Sequence, residues 1–487
     1  MWRISSPEES PLQQRHCHAS LAMTVRAKLD MHESPGAAYA RAFGCYTEWS
    51  PPGQGAAPPN QSMRLQLTTP MQNPETAHRP GEPAPAFGGR VIIPGLATGH
   101  VVFHWIVQSF VVALPEIQQT FQLNTVGVGG IMSARELASG LVALPAGVVV
   151  DILRRYWGPL LASCLGVAAL GCLAMGVSPV YPLLLIGMAV VAISHSIWHL
   201  PASASLSHHF PERRGVALSA HGVGGSVGDV VGPVATGALL AFLTWRELLS
   251  VYAIIPFFLA ACAVWSLRNI GRGRDEPAVT LAERVDATGS LLKTPALWVL
   301  TVVRGLRSMA LVALVTILPL YLGNDLDMGP ANRGFHIGLL IAVGLVAKPA
   351  AGALSDRVGR KQVLVPGLVW SCLVTLALTV FDAGIPLTIV IALLGLFLYP
   401  DQPILTATVF DVVGRNVAST GLGVVQSFAF LMSVASPLIA GALYESLGFE
   451  ASIYYIGALF AAAAALFLAL PLSRRKGAGP GEPGAAG

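Results

Sequence analysis

The stretch Gly352-Ala-Leu-Ser-Asp356-Arg357-Val-Gly359-Arg360-Lys361 is a short charged segment between two long apolar runs. A partial copy of it, Gly147-Val-Val-Val-Asp151-Ile-Leu-Arg154-Arg155, lies earlier in the chain. The two aspartates are 205 residues apart. A charged hinge that recurs at such a distance indicates that a long unit of sequence has been duplicated.

Two further pairs of segments keep nearly the same offset. Arg214-Gly-Val-Ala resembles Arg415-Asn-Val-Ala, and Pro233-Val-Ala-Thr-Gly237 resembles Pro437-Leu-Ile-Ala-Gly441. Three anchors at one spacing indicate two homologous halves. Apolar halves repeated in the same order are typical of secondary transporters built from parallel repeats.

The composition is that of a membrane protein. Apolar residues make up 53% of the chain and charged residues 11%, whereas soluble domains carry about 25% charged residues. The net charge of +4 is small and gives no indication of nucleic-acid binding. Four of the six cysteines lie inside apolar runs, and no pair has metal-ligand spacing.

We predict an all-α membrane protein with twelve transmembrane helices in two pseudo-symmetric six-helix bundles. An apolar helix of about 20 residues spans the hydrocarbon core. Because exposed loops cannot exist in lipid, each span should be helical throughout or interrupted only beside a cavity. The predicted spans are 91–114, 127–150, 157–176, 180–206, 214–240, 248–267, 295–321, 334–353, 362–381, 386–410, 417–443 and 451–472.

The domain organisation follows from these spans. We expect a disordered cytosolic tail over 1–89, bundles over 90–267 and 294–472, a cytosolic linker over 268–293, and a disordered tail over 473–487. The first segment is rich in Pro, Gly, Gln and Ala and lacks sustained periodicity. A true start at Met63 or Met71 is an equally open alternative. The segment lacks the pattern of a secretory signal.

Basic residues predict the orientation. After residue 90, the predicted outer loops hold only Arg246 and Arg333. The predicted inner loops, the linker and the C-terminal tail hold many more. By the positive-inside rule, both termini are therefore expected to be cytosolic. Arginine far outnumbers lysine, which fits a high-GC bacterial source and a plasma (inner) membrane location.

The duplication, the twelve spans and the charged hinge resemble the major facilitator superfamily over residues 90–472. This resemblance implies a transporter that alternates between two access states. It implies a gating role for the hinge residues Asp151, Arg154, Arg155, Asp356, Arg357, Arg360 and Lys361. Positive-inside anchoring is the alternative role for the basic ones.

A narrower resemblance is to bacterial fosmidomycin-resistance-type exporters. It rests on Gly99-His100-Val-Val-Phe-His104, on His195-Ser-Ile-Trp198-His199-Leu-Pro201, and on the glycine-rich segment after Arg214. Within that segment, Gly228, Gly232 and Pro233 resemble the glycine-proline motif of the superfamily's antiporters. The resemblance implies a gating role for these three residues, and tight helix packing alone is the alternative.

Ionisable residues inside apolar spans are costly and usually functional. They occur at i,i+4 or i,i+3 spacing, which places each pair on one helical face: His100 and His104 on the first span, His195 and His199 on the fourth, and Arg304 and Arg307 on the seventh. The resemblance implies that these spans and the tenth line a central cavity. We predict a substrate site of His100, His104, Arg135, His195, His199, Arg304, Arg307, Tyr399 and Asp401.

Proton coupling is expected at Asp229, with Glu136 and His221 as further candidates, because burial and neighbouring charges tune such groups. A polar contact between helices is the alternative for each histidine. Arginine suits a carboxylate or phosphonate ligand, but an internal network of ion pairs fits Arg304, Arg307 and Asp401 equally well. Lys348 is expected to extend out to the membrane surface.

We expect no metal site, because neither His-x-x-x-His pair is completed by a further ligand within its own helix. We expect no cofactor and no enzyme activity, since no nucleophile–base set or phosphate loop is present. The predicted partners are a small-molecule substrate, protons and the lipid bilayer, with a monomer as the expected state. The predicted function is proton-coupled export of a small, anionic organic solute. Proton-coupled uptake of an organic acid and a non-transporting membrane sensor or scaffold are the alternatives.

Overall fold

Helices occupy all twelve predicted positions in the part of the chain that the structure, a computed structural model, describes: residues 91–271, 289, 293–382, 384–413 and 418–470. The predicted tails and most of the predicted linker lie outside these residues. The first half consists of α1 (Ile92–Val112), α2 (Leu114–Phe121), α3 (Thr125–Ile152), α4 (Trp157–Gly176), α5 (Tyr181–His209), α6 (Arg214–Leu239) and α7 (Trp245–Ser266).

The second half repeats this arrangement. It consists of α8 (Pro295–Leu320), α9 (Pro330–Val358), α10 (Arg360–Ala377), α11 (Gly384–Leu398), α12 (Asp401–Val413), α13 (Ala418–Ser433), α14 (Ser436–Leu447) and α15 (Phe449–Ala469). A 3₁₀ turn (Arg154–Tyr156) precedes α4, and a π turn (Tyr321–Asp325) follows α8. Nine of the described helical segments are long and apolar enough to cross a membrane, and α3, α6 and α10 fill the other predicted positions.

Helix packing shows the pseudo-symmetry. In the first half α1 packs on α6, α3 on α5 and α4 on α7. The equivalent pairs in the second half are α8 with α13, α9 with α11 and α10 with α15. The halves meet where α3 packs on α13 and α14, and where α6 packs on α9. Exposed apolar side chains such as Leu170, Ile254 and Leu373 cover the outer surfaces, as expected for helices that face lipid.

Local sequence explains where several helices begin and end. Thr244 and Glu247 form a reciprocal capping box at the start of α7. Gly359 separates α9 from α10 at φ 109°. This conformation is readily accessible only to glycine, which accounts for the glycine in the charged hinge. Proline opens α8 and α9, where its missing N–H costs no helical hydrogen bond.

Two predicted spans are interrupted rather than continuous. The span predicted at 386–410 breaks between Leu398 and Asp401, and the span at 417–443 breaks between Ser433 and Ser436. Pro400 lies inside the first break, and Pro437 follows the second. Proline supplies no backbone N–H, so both breaks leave carbonyls that need other partners.

Candidate functional site

A glycine face on α6 lets α1 and α6 approach closely. A β-carbon on Gly228 would collide with the carbonyl of Val101 and with the side chain of His104, and one on Gly232 would crowd the backbone of Trp105. The two glycines are four residues apart and therefore share a helical face. Both were predicted to serve gating together with Pro233, which is buried in the same helix. In the structure the two glycines form the contact that brings the polar residues of α1 and α6 together.

Five histidines from three helices form one cluster. His100 stacks on His221 with ring centroids 4.0 Å apart, and its centroid lies 4.5 Å from that of His104 and 4.8 Å from that of His199. His195 lies 4.7 Å from His199 and 4.9 Å from His104. The predicted pairs on α1 and α5 therefore meet, and His221 on α6 joins them.

Hydrogen bonds at Nδ1 orient three of these rings. His100 Nδ1 lies 2.6 Å from the carbonyl oxygen of His221, and His221 Nδ1 lies 3.2 Å from the carbonyl oxygen of Leu96. His104 Nδ1 lies 2.8 Å from Oδ1 of Asp229. Within the described residues, the buried Nε2 atoms of all three histidines have no hydrogen-bond partner. Each ring is thus anchored through one nitrogen and presents the other.

Asp229, the predicted coupling residue, is well bonded. Besides the contact with His104, its Oδ1 accepts a hydrogen bond of 3.1 Å from Nε2 of Gln108. Both partners lie on α1, so the carboxylate holds α1 and α6 together. Sequence reasoning did not include Gln108, although its position four residues after His104 places it on the same helical face.

Glu136, unlike Asp229, has no hydrogen bond to its carboxylate among the described residues. It is 1% exposed. Its nearest ionic neighbour is Nε of Arg135 at 3.4 Å. An ionised carboxylate in such surroundings is costly, and such groups avoid the cost by taking up a proton. Of the predicted coupling residues, Glu136 is therefore the carboxylate least held in its charged form.

Glu136 lies on the face of α3 that meets the other half. One turn earlier, Oγ of Ser133 donates to the carbonyl of Val434 at 2.6 Å. One turn later, a β-carbon on Gly140 would contact Phe430 and Leu431 of α13. Residues at these spacings share a helical face. This carboxylate, which lacks a hydrogen-bond partner among the described residues, is therefore buried at the interface between the two halves.

Arg307 and Asp401 form a two-point ion pair in the second half. Nε of Arg307 lies 2.6 Å from Oδ2 of Asp401, and the Nη2 atom lies 2.7 Å from Oδ1. The same Nη2 also donates to the carbonyl of Leu398, at the break before α12. Arg307 thus satisfies both a buried acid and a carbonyl that the broken helix leaves free. This is the internal ion pair, which was one of the two roles considered for the arginine.

Arg304, one turn earlier on α8, is buried with neutral partners. Its guanidinium donates to the side-chain oxygen of Gln426 and, at 3.2 Å, to Oγ1 of Thr406. Within the described residues no carboxylate lies within ion-pair distance of it. The two predicted arginines are therefore different: Arg307 is paired directly with Asp401, whereas Arg304 is hydrogen-bonded to neutral side chains.

Lys348 does not extend to the membrane surface as expected. Its Nζ lies 5.9 Å from the ring centroid of Tyr399, a residue that is 8% exposed. Lys348 interacts electrostatically with Asp229 of the first half and with Asp401 of the second. Tyr399 likewise experiences the charges of Arg135 and Asp229 as well as Arg307 and Asp401. The polar residues of the two halves therefore face a common region, with Lys348 and Tyr399 between them.

One end of the bundle is closed by contacts between the halves. Arg333, predicted in an outer loop, is buried on α9 and pairs with Glu116 of α2. Nearby, Asn324 donates to the side chain of Gln118 at 2.8 Å. The backbone N–H of Thr125 donates to Glu445 at 2.9 Å. Sequence reasoning missed Glu116, whose one visible sign is an acid directly after an apolar span.

At the opposite end, each contact found among the described hinge residues lies within one half. Arg360 bonds to Asp356 at 2.5 Å and to Asp411 at 3.2 Å. Lys361 donates to the carbonyl of Leu470 at 3.0 Å, and Arg357 is exposed. In the first half, Nη2 of Arg154 lies 2.7 Å from Nδ1 of His208, and Arg155 donates to its neighbour Tyr156. Asp151 lies in α3, and its side chain is outside the described residues.

Comparison with known proteins places these features in a family. The family model described as "Major Facilitator Superfamily" matches residues 96–347 and 304–486. The chain is 23% identical over 279 residues to the fosmidomycin resistance protein of Escherichia coli, covering 56% of this chain and 67% of that one. It is 27% identical over 377 residues to the multidrug resistance protein MdtG of Enterobacter lignolyticus, covering 73% and 87%. It is 26% identical over 359 residues to the probable nitrate/nitrite transporter NarK2 of Mycobacterium tuberculosis, covering 68% and 84%.

Solved structures share the fold. A bacterial homologue of the human lysosomal transporter Spinster, in an inward-facing and unoccupied conformation, superposes with a TM-score of 0.68 at 14% identity, covering 77% of this chain and 95% of that one. The nucleoside transporter NupG gives a TM-score of 0.64 at 11% identity, covering 78% and 98%. Helices occupy the twelve predicted positions in the described part of the chain, and the family match extends across most of its length. The chain is therefore a multi-pass membrane protein, a secondary transporter rather than an enzyme, and it belongs to the major facilitator superfamily.

Proposed function

We propose that the protein exports a small organic anion in exchange for protons, by alternating access, across the bacterial inner membrane with both termini cytosolic. The observation that carries the proposal is the buried Glu136 at the interface between the halves. Its carboxylate has no hydrogen-bond partner among the described residues. Because the halves move against each other during transport, the surroundings of this group change with the access state.

This position links proton binding to conformation. In the present state Glu136 lies on the packed face of α3, where an ionised carboxylate is costly. Movement of α3 relative to α13 and α14 exposes the group to water, where it ionises readily. A proton that binds from the outer side while this interface is open therefore favours closure of the interface, and exchange requires the proton to leave toward the cytosol before the interface reopens. Asp229, bonded to His104 and Gln108, serves in this scheme to hold α1 against α6.

The balance of charge supports an anionic substrate. When Glu136 is neutral, four cations face the common region and two carboxylates remain there, Asp229 and Asp401. The cations are Arg135, Arg304, Arg307 and Lys348. Arg304 has neutral partners, and Lys348 lies over Tyr399. A bound anion compensates this excess, and the planar guanidinium of Arg304 suits carboxylate or phosphonate oxygens.

The access state also fits this proposal. The closed end carries Glu116 and Arg333 and is the end predicted to face outward. The structure then corresponds to an inward-facing state, from which an exporter loads its substrate. The names of three relatives support this proposal in general terms. Two concern drug or antibiotic resistance, which fits export, and one concerns nitrate and nitrite, which are anions.

The test uses purified protein in liposomes with an imposed pH gradient. Fosmidomycin and nitrate, named for relatives, are the first probes, followed by a panel of small carboxylates and phosphonates. We expect gradient-driven transport in the wild type. Glu136→Gln should lose gradient-driven accumulation and retain substrate exchange. The matched control is Glu247→Gln, which changes an acid in the capping box of α7. Full gradient-driven transport in Glu136→Gln would refute the coupling role.

The same liposomes distinguish the proposed export from the two alternatives, proton-coupled uptake and a non-transporting role. Accumulation of substrate on the side toward which protons flow would indicate proton-coupled uptake. Reversing the pH gradient tests this directly. For a sensor or scaffold, replacing Arg304 and Lys348 by uncharged residues would leave the phenotype unchanged. The buried polar residues favour transport, because such groups are expensive to keep inside a membrane.

A further inference from the structure

We propose that the histidine cluster binds a divalent transition-metal ion, with His100, His104 and His199 as ligands. This goes beyond the proposed transport of an anion. The sequence alone argued against a metal, because each His-x-x-x-His pair was considered within its own helix. In the structure α1, α5 and α6 bring the pairs together with a fifth imidazole.

The ligand atoms are close enough for coordination. One ring nitrogen from each of His100, His104 and His199 lies within 4.8 Å of the others. Tetrahedral zinc with bonds of about 2.1 Å places its ligand nitrogens about 3.4 Å apart. Small rotations of the rings therefore suffice to close the site around an ion. Three protein ligands leave a fourth position, which water or a small ligand can occupy.

The free nitrogens point to a ligand. A carbonyl oxygen only accepts hydrogen bonds, so the Nδ1 atoms of His100 and His221 carry protons and donate them. In the neutral imidazole the lone pair is then on Nε2. These Nε2 atoms, and that of His104, are buried and without a hydrogen-bond partner among the described residues. Buried polar atoms usually have a partner, and a metal ion supplies one partner for several of them.

The surrounding bonds match those of metal-binding histidines. Such residues donate their other ring N–H to a carboxylate or to a backbone carbonyl, which fixes the tautomer and the ring orientation. His104 meets Asp229, and His100 meets the carbonyl of His221. His199 is held by His195, with Nε2 atoms 3.1 Å apart. Imidazole ligands suit zinc, copper and nickel, so the expected ion belongs to this class.

The experiment measures zinc binding by the full-length protein in detergent, purified with a tag that contains no histidine. Calorimetry should give one Zn²⁺ per chain, and X-ray absorption should show about three imidazole nitrogens at about 2.0 Å. His104→Gln and His199→Gln should weaken binding at least 100-fold. Asp229→Asn should weaken it by about 10- to 100-fold while keeping the ligands.

The matched control is His336→Gln. His336 is buried in α9, and its two nitrogens lie near the carbonyl of Asn332 and the hydroxyl of Thr388. This variant should bind zinc as the wild type does. Equal binding by the control and by both cluster variants, with all proteins monodisperse, would overturn the proposal. Glu136→Gln should keep zinc binding while losing proton coupling, so failure of the metal site and failure of the transport proposal are distinguishable.

Discussion

Arg307 is held to Asp401 by two hydrogen bonds and to the carbonyl of Leu398 by a third. The arrangement joins α8 to both sides of the break between α11 and α12. It also gives Arg307 different surroundings from Arg304, which lies three residues earlier on the same helix. Arg307 is bonded to an acid and a carbonyl at the break, whereas Arg304 bonds to the neutral side chains of Thr406 and Gln426.

We predict that Asp401→Asn strongly destabilises the protein. Removing one partner of a buried ion pair leaves an uncompensated charge, at a cost of about 3–5 kcal/mol. The thermal unfolding temperature in detergent should fall clearly. Arg307→Lys should also lower it, because an ammonium group cannot reproduce the fork that contacts both Asp401 and Leu398. A double variant, Arg307→Met with Asp401→Leu, should recover much of the loss.

For Arg304 we predict the reverse pattern. Arg304→Gln removes a cation whose partners are neutral, so the unfolding temperature should change little compared with Asp401→Asn. Affinity for an anionic substrate should fall at least 10-fold, equivalent to about 1.4 kcal/mol. Competition binding with a substrate identified in liposomes measures this effect. Unchanged affinity would remove Arg304 from the substrate site.

The Glu116–Arg333 pair should stabilise the closed end. Arg333→Gln breaks a largely buried ion pair between the halves, so the population open at this end should rise about 10-fold or more. Spin labels at the exposed positions Gln119 and Asp327, in a background without native cysteines, would report the added long distances. Arg246→Gln is the control, because Arg246 donates to the carbonyl of Ser178 within the first half. If Arg333→Gln gave the same distance distribution as the control, the Glu116–Arg333 pair would not be what stabilises the closed end.

The glycine face of α6 yields a prediction about packing. Gly228→Ala places a methyl group against Val101 and His104 and should cost about 1–3 kcal/mol by overpacking. It should also weaken the His104–Asp229 contact. Gly222→Ala, in the same helix, meets nothing within 4 Å and should be neutral or stabilising by up to about 1 kcal/mol. Unfolding temperatures of the two variants would provide the comparison, and equal values would contradict the close-packing argument.

Much of the fold was predictable because the relevant signals are local. The two hinges and the apolar spans identify the duplication and the twelve helix positions. Gly359 at positive φ explains one hinge residue from backbone geometry alone. The spacing of His100 and His104 also predicts correctly that both lie on one face. These features depend on residues that are close in sequence.

The remaining features depend on contacts between distant segments. Nothing local distinguishes Arg307, which meets Asp401, from Arg304, which meets Gln426. Lys348 lies near Tyr399, a residue within the break in the tenth span, and the apolar pattern conceals that break. The meeting of histidines from α1, α5 and α6 likewise requires the three-dimensional arrangement.

The break between α13 and α14 has a consequence for the transport cycle. The carbonyl of Val434 receives its hydrogen bond from Ser133, a side chain of the opposite half. When the halves separate at this point, the carbonyl must exchange that hydroxyl for water or for a new backbone donor. Each opening of this contact therefore includes a change of hydrogen-bond partner at a carbonyl inside the membrane, and that exchange is part of the energetic cost of moving the halves apart.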